Sequence, residues 1–302
     1  MKLFEDLQWR GLVKQYSSDS LIEKLNNGKL TFYIGTDPTA DSLHLGHYSS
    51  FLIAKRLAKY GHQPIILIGG ATALVGDPRG TSERDLAEQE KIFDNFEKLK
   101  NQIQKIFPYE IVNNYDWTKN IMAIDFLREF GKHITAGYMS NKELVKRQFA
   151  TGISFTEFSY MLLQGMDFYH LFTTKGVTLQ IAGSDQWGNM TTGIDLVRKK
   201  TGEEVFAMTM PLITDEEGKK FGKSEGNAIW ISENKNTPEE LYNFLLNVSD
   251  DIVISLLKKL TFLSRKDIEE IESRHKNGTG YAQGILADTV TFDIHGVSIN
   301  KK

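Results

Sequence analysis

Between residues 30 and 68 an apolar strand, a glycine loop, a helix and a second apolar strand follow one another, and few folds accept that order. Leu30, Phe32 and Ile34 supply the first strand signal. Gly35 lets the backbone leave a sheet tightly, and Asp37-Pro38 and Asp41-Ser42 are turn chemistry. From His44 to Tyr60 the pattern becomes helical, and Gly61 stops it. Pro64-Ile65-Ile66-Leu67-Ile68 is a continuous apolar run, as a parallel strand covered on both faces requires. Strand, helix, strand in this order implies a right-handed parallel crossover. Such sheets take ligands beyond the carboxyl ends of their strands, where Gly35, Gly69 and Gly70 fall. A helix starting there offers unpaired N–H groups and the positive end of its dipole to an anion. His44 and His47 share one face of that first turn and can both reach a phosphate, while Gly46 leaves room for a flat group.

The remaining elements extend this α/β reading. Short amphipathic helices are expected over Phe4–Gln15 and Asp19–Leu25, a close-approach loop at Gly69–Thr72 and a long charged helix over Leu86–Phe107. Tyr109–Val112 reads as a strand, Asn113–Trp117 as a loop, and Ile121–Phe130 and Lys142–Phe149 as helices. An apolar helix over Phe155–Tyr169 precedes a buried strand, Thr178–Gly183, and a helix over Met190–Lys200 that turns basic at its end. Phe206–Leu212 is strand-like. Beyond Trp230 only helices are expected: Pro238–Leu246, opened by a Thr237 capping box with proline at its first position, then Asp250–Leu260, Lys266–Glu272 and Tyr281–Ile294.

Composition removes several function classes. The absence of cysteine excludes disulfides, thiolate zinc sites and cysteine nucleophiles. A formal net charge of −3 leaves nucleic-acid contact to local basic patches. No apolar run spans a bilayer, and Met1-Lys2-Leu3-Phe4-Glu5-Asp6 puts acids where a signal peptide needs apolar residues. A soluble cytoplasmic protein is the expectation.

Two further clusters carry chemistry. Tyr160, Gln164 and Asp167 align on one face of an otherwise apolar helix, where they cost free energy unless satisfied. They suit either a structural hydrogen-bond network or a polar ligand. Lys219-Lys220-Phe221-Gly222-Lys223-Ser224 is a basic, glycine-hinged segment that reads as a solvated turn or as a mobile loop closing over phosphates.

His44-Leu45-Gly46-His47 and Lys220-Phe221-Gly222-Lys223-Ser224, in this order, resemble the two signatures of class I aminoacyl-tRNA synthetases, usually written HIGH and KMSKS. The whole chain resembles a bacterial-type tyrosyl-tRNA synthetase, with Tyr160-x-x-x-Gln164-x-x-Asp167 as its amino-acid pocket. The resemblance implies a Rossmann-like parallel sheet with helices on both faces, followed by a small all-helical domain. Residues 1–225 would form the catalytic domain, with an inserted dimerisation segment at about 110–165 and the basic loop at 220–224, and residues 226–302 the helical domain. It implies ATP and L-tyrosine as substrates, Mg²⁺ escorting the phosphates with no metal ligand on the protein, tRNA(Tyr) as acceptor and a homodimer with Phe155 near the axis. Asp167 and Tyr33 would hold the phenol, with Tyr160, Gln164 and Asp77 holding the ammonium, Gln180 supporting the network and Gln186 lying near the carboxyl. For ATP, Gly35 and Asp37 would lie beside the adenylate, Thr39 and His44 at the terminal phosphate, and Gly46 and His47 against ribose and adenine. Gly183 and Asp185 would approach the ribose, although Asp185 also suits a helix N-cap. Lys220, Lys223, Ser224 and Arg84 would close on pyrophosphate, and Lys146, Arg147, Arg198, Lys199 and Lys200 would meet tRNA, although basic residues at a helix C-terminus also complement its dipole.

Three departures stand out. Ile34 replaces a cysteine that in many members touches the ribose, and the loop at Gly76–Arg84 lacks a lysine common there, with Arg79 a candidate substitute. Bacterial members continue into an RNA-binding domain that this sequence, ending at Lys301-Lys302, is expected to lack.

Overall fold

The computed structural model describes residues 2–77, 88–142, 145–146, 152–214, 223–224, 227–275 and 280–299. In chain order the elements are α1 (Leu3–Trp9), β1 (Gln15–Tyr16), α2 (Ser20–Asn27), β2 (Thr31–Thr36), α3 (Leu45–Lys59), β3 (Gln63–Ile68), α4 (Gly70–Val75) and α5 (Gln89–Ile106). Then come β4 (Glu110–Asn113), α6 (Tyr115–Thr118), α7 (Ala123–Glu129), α8 (Ala136–Ser140), α9 (Phe155–Lys175), β5 (Val177–Gly183), α10 (Trp187–Thr201) and β6 (Phe206–Met210). A two-stranded ribbon, β7 (Lys223–Ser224) and β8 (Asn227–Ala228), leads to α11 (Pro238–Leu246), α12 (Asp250–Leu260), α13 (Arg265–His275) and α14 (Tyr281–His295).

The six strands run in the order β1-β6-β5-β2-β3-β4, with every pairing parallel except β1 with β6 at the edge. Side chains alternate between the sheet's faces, and the two faces have separate cores. Phe32, Ile34, Ile66 and Ile68 pack with Phe51 and Leu52 of α3 and Ile103 of α5. Tyr33, Ile65 and Leu67 pack with Phe168 of α9 and Val197 of α10. Helices cover both faces, as the apolar runs require.

Local boundaries differ where distant pairing takes over. The first helix ends at Trp9 instead of Gln15, because Gly11 turns the chain at φ 68° and Gln15–Tyr16 then pair with β6. The expected loop at Gly69–Thr72 is the start of α4, and the expected loop at Asn113–Trp117 contains α6. The helix expected over Lys142–Phe149 falls mostly outside the described residues.

The C-terminal helices gather around α14, whose Leu286 and Val290 are fully buried. Their apolar cluster is continuous with the core on the α3 side of the sheet. Polar ties reinforce that joint. The Tyr48 hydroxyl and the Lys55 ammonium of α3 both donate to Asp293, at 2.6 and 3.0 Å. Arg10 and Arg56 donate to the carbonyls of Lys258, in the last turn of α12, and of Thr261, just past its end.

Candidate active site

A cleft of about 750 Å³ opens beyond the carboxyl ends of β2, β3, β5 and β6, where a parallel sheet is expected to take its ligand. Tyr33, Gly35, Asp37, Thr39, His44, Gly46, His47, Asp77, Tyr160, Gln164, Asp167, Gln180, Gly183, Asp185 and Gln186 all line it. Thus fifteen residues named from four separate stretches of sequence meet in one space.

At its deep end lies Asp167 of α9, 2% exposed. One carboxylate oxygen accepts from Asn114 Nδ2 at 2.9 Å and the other from Trp117 Nε1 at 2.9 Å. Burial outweighs these two donors and pushes its pKa up to about 7. The Tyr33 hydroxyl is buried with no hydrogen-bond partner among the described residues. Burial first, and the charge of Asp167 second, hold that phenol well above the ordinary tyrosine range. Gln180 Oε1 is likewise buried and unpartnered among the described residues. Buried polar atoms of this kind cost free energy until a ligand meets them.

The middle of the cleft is acidic. Tyr160 donates to Asp37 Oδ2 at 2.9 Å, and Thr72 Oγ1 donates to Asp37 Oδ1 at 2.7 Å. Asn114 Nδ2 reaches Thr72 Oγ1 as well, at 3.1 Å, so Asp167, Asn114, Thr72, Asp37 and Tyr160 form one chain of bonds. A β-carbon on Gly69 would collide with the Asp37 carboxylate and the Thr72 hydroxyl, which fixes glycine at that position. Asp77 accepts from Gln186 Nε2 at 2.9 Å and Asn189 Nδ2 at 3.2 Å. Burial, with smaller contributions from the nearby Asp37 and Asp185, raises it to about 6.

The histidine pair forms the outer wall. His44 is the N-cap of α3, its Nδ1 accepting from the Gly46 and His47 amides at 3.1 and 3.3 Å. His47 Nδ1 accepts from the His44 amide at 3.3 Å. An accepting Nδ1 places the proton of a neutral imidazole on Nε2, so each ring carries its donor on the far edge. The rings stack at 3.8 Å.

Some sequence assignments change. Asp185 is not the cap of α10, which starts at Trp187 with Gln186 at the N-cap position. Ile34 packs in the core behind α3, away from the cleft. Arg79, Arg84, Arg147 and Lys220 lie outside the described residues, and only the backbone of Lys223 and Ser224 is described. The basic cluster on α10 has internal partners: Arg198 pairs with Asp195 at 2.9 Å, Lys199 donates to the His133 carbonyl at 2.8 Å, and Lys200 donates to the Glu129 carbonyl at 3.0 Å. Lys146 is exposed. Sequence reading passed over Thr72, Asn114, Trp117 and Asn189. The only signal for Asn114 and Trp117 was a polar, aromatic loop directly after a parallel strand.

The profile of tRNA synthetases class I (W and Y) matches residues 25–302. The chain is 48% identical over 316 residues to a tyrosine–tRNA ligase of Streptococcus pyogenes, covering 100% of this chain and 75% of that protein. The chain belongs to the tyrosyl-tRNA synthetase family. Among solved structures, a C-terminally truncated mitochondrial tyrosyl-tRNA synthetase of Aspergillus nidulans superposes with a TM-score of 0.88 at 28% identity, over 98% of this chain and 90% of that one. A tryptophanyl-tRNA synthetase of Encephalitozoon cuniculi shares the fold, with a TM-score of 0.71 at 14% identity over 96% of this chain and 84% of that one. As a family member the chain uses ATP as a substrate. No helix among the described residues is long and apolar enough to cross a membrane.

Proposed function

We infer that this chain is a tyrosine–tRNA ligase, and that the cleft performs its first step. The tyrosine carboxylate attacks the α-phosphorus of ATP, the bond to the bridging oxygen breaks, and pyrophosphate leaves. A terminal ribose hydroxyl of tRNA(Tyr) then displaces AMP from the adenylate. The first step needs no general base, because the nucleophile is already an anion; it needs positioning and stabilised charge.

The observation that carries the tyrosine assignment is the buried pair of Asp167 and Tyr33 at the deep end of the cleft. A substrate phenol donates to Asp167 and accepts from the orphaned Tyr33 hydroxyl. Phenylalanine would leave the Tyr33 hydroxyl without a partner, at about 1–3 kcal/mol, and would forgo the further bond to Asp167. The ammonium lies with Tyr160, Gln164 and Asp77, in the acidic middle of the cleft, and Gln180 supports that network. Gln186, which holds Asp77, stands by the reacting carboxyl. Thr39 and the Nε2 edges of His44 and His47 point their donors to the phosphates and ribose, beside Gly35, Asp37 and Gly46. Gly183 and Asp185 take the ribose. Lys220, Lys223, Ser224 and Arg84 close over pyrophosphate.

Among the described residues no three His, Cys, Asp or Glu converge as a metal cage. Mg²⁺ is therefore proposed to enter on the phosphate oxygens of ATP, where it neutralises their charge. The acceptor-stem surface combines Lys146 and Arg147 with Arg198, Lys199 and Lys200. Residues 1–225 are taken as the catalytic unit and 226–302 as the helical one. A homodimer is proposed through the segment at about 110–165, where Met122, Ile124, Leu127 and Phe155 are exposed by 69, 71, 51 and 73%. Large apolar side chains this open suit a surface that a second copy covers. Pyrophosphate exchange measured with each amino acid tests the reading. Exchange with tyrosine alone is expected; exchange driven by tryptophan, or none at all, overturns it.

A further inference from the structure

The segment after the β7–β8 ribbon runs alongside the loop that carries His44. The Leu45 amide donates to the Ile229 carbonyl at 2.9 Å, and the Ile231 amide donates to the Leu43 carbonyl at 2.9 Å. His44 and Trp230 thereby face each other as an isolated antiparallel bridge. Residues directly opposite in such a bridge project to the same side, and the two rings meet at 6.2 Å with 64° between their planes. The pairing is fastened at both ends. Lys235 forms an ion pair with Asp41 at 2.7 Å, and its ammonium sits 4.7 Å from the centre of the Trp230 ring. The Ser232 amide donates to Ser42 Oγ at 3.2 Å. The Trp230 amide donates to Asn236 Oδ1 at 2.8 Å, just before α11. Behind the loop, Gln102 of α5 accepts from the Leu43 amide at 2.7 Å.

We propose that Trp230 is a positioning residue for adenylate formation, its indole fixing the imidazole of His44 while the paired backbone ties the end of the basic loop to the histidine pair. The inference rests on the role proposed above for His44 at the phosphates. The Nδ1 bonds of His44 hold one edge of its ring, and stacking on His47 holds one face. The indole is a further contact, and it arrives from 186 positions later in the sequence. The backbones of Lys223 and Ser224 pair with Ala228 and Asn227, just before Trp230, so the bridge anchors the ribbon that holds the end of the basic segment. A misplacement of about 1 Å in a catalytic group can cost up to ~100-fold in rate. A contact that sets His44 relative to that anchor therefore acts on the rate of activation without touching tyrosine.

The test uses the full chain in tyrosine-dependent pyrophosphate exchange, with the parent measured first. Trp230→Ala is expected to lower kcat by about 10- to 30-fold, the range for a loosened but present catalytic group, with KM for tyrosine within about twofold. Trp230→Phe, which keeps a ring face, is expected to restore kcat to within about threefold of the parent. If Trp230 acts through His44, Trp230→Ala in a His44→Ala background costs less than about twofold more. The inference is overturned if Trp230→Ala changes kcat by less than about threefold, if KM for tyrosine rises as far as kcat falls, or if the losses at 44 and 230 multiply. Should Trp230→Ala fail to fold, Trp230→Leu replaces it: a loss seen with Leu and not Phe supports the indole contact, and equal rates overturn it. Absence of exchange in the parent would overturn the proposed function instead, so the two failures are separable.

Discussion

Asp167 is the residue where burial and function pull hardest against each other, and replacing it with asparagine turns that conflict into a measurable pH dependence. Burial raises the folded carboxyl from the ordinary 3.8 to about 7. Between those values the folded chain holds a proton that the unfolded chain has released, so this group's contribution to stability is full below about pH 4 and is lost as pH rises through 7. The displacement of about 3 units is worth about 4 kcal/mol in all. Between pH 5 and pH 8.5 about 2.5 kcal/mol of it disappears. Asp167→Asn cannot titrate, so its stability relative to the parent should climb by about 2.5 kcal/mol over that interval. Its absolute gain at high pH is smaller, because an amide nitrogen would face the donor of either Asn114 or Trp117 and waste about 1–3 kcal/mol. Asp77, raised to about 6, titrates in both proteins and cancels from the difference. Equilibrium urea unfolding at the two pH values, with the slope m checked for constancy, reads the quantity directly. A difference that stays level within about 0.5 kcal/mol, or moves against the variant as pH rises, would refute the reasoning: the two donors would then hold the carboxylate better than burial penalises it.

Three further outcomes test the proposed roles and the packing. Lys223→Ala should slow adenylate formation by about 10²–10³-fold while leaving tyrosine KM nearly unchanged, since a contact made to the developing pyrophosphate strengthens only in the transition state; comparable losses in kcat and tyrosine binding would argue against that role. Phe155→Asp should yield monomers in sedimentation, because it sets like charges face to face across the proposed two-fold axis; a parent chain already monomeric at micromolar concentration sinks the idea. Gly193→Ala should cost about 1–3 kcal/mol in urea unfolding, because its β-carbon would sit 2.9 Å from Phe168 Cδ1 and Phe168 is fully buried. A midpoint unchanged from the parent would show that α9 and α10 separate freely.

What could be read from sequence follows how local each cause is. The run from Pro64 to Ile68 announces a buried parallel strand because apolar residues on both faces leave no other use for it. The cap at Thr237 and the proline after it announce α11 for an equally local reason, and Thr237 Oγ1 accepts from the Glu240 amide at 3.2 Å. The helix that was expected to reach Gln15 instead stops at Trp9, because residues 15–16 pair with β6 nearly two hundred positions away. Helix α4 is held by Asn113 and Asn114, which accept from the Gly70 and Ala71 amides at 3.2 and 2.8 Å. Nothing near Gly70 foretells that.

The site divides along the same line. Residues proposed to meet the substrates were legible, because chemistry restricts them to few types at fixed spacings: two imidazoles at a helix start, a carboxylate on an apolar helix. Residues that hold those groups in place were not, because many side chains can donate one hydrogen bond and their partners are set by topology alone. Asn114 and Trp117 reach Asp167 from 53 and 50 positions away. Charge is ranked only by the structure. Lys199 and Lys200 both belong to the surface proposed for RNA, but the Lys200 ammonium lies 3.6 Å from Glu129 and its side chain is only 12% exposed. A phosphate that recruited it would first have to break that pair and the bond to the Glu129 carbonyl, so its share in RNA affinity should be smaller than that of the exposed Lys146. Salt dependence separates the two cases: log–log slopes of tRNA binding should fall by nearly one on Lys146→Met and by less on Lys200→Met, since only a cation that displaces counterions contributes to the slope. Equal changes would show that the pair with Glu129 opens freely and that Lys200 meets RNA as fully as Lys146 does.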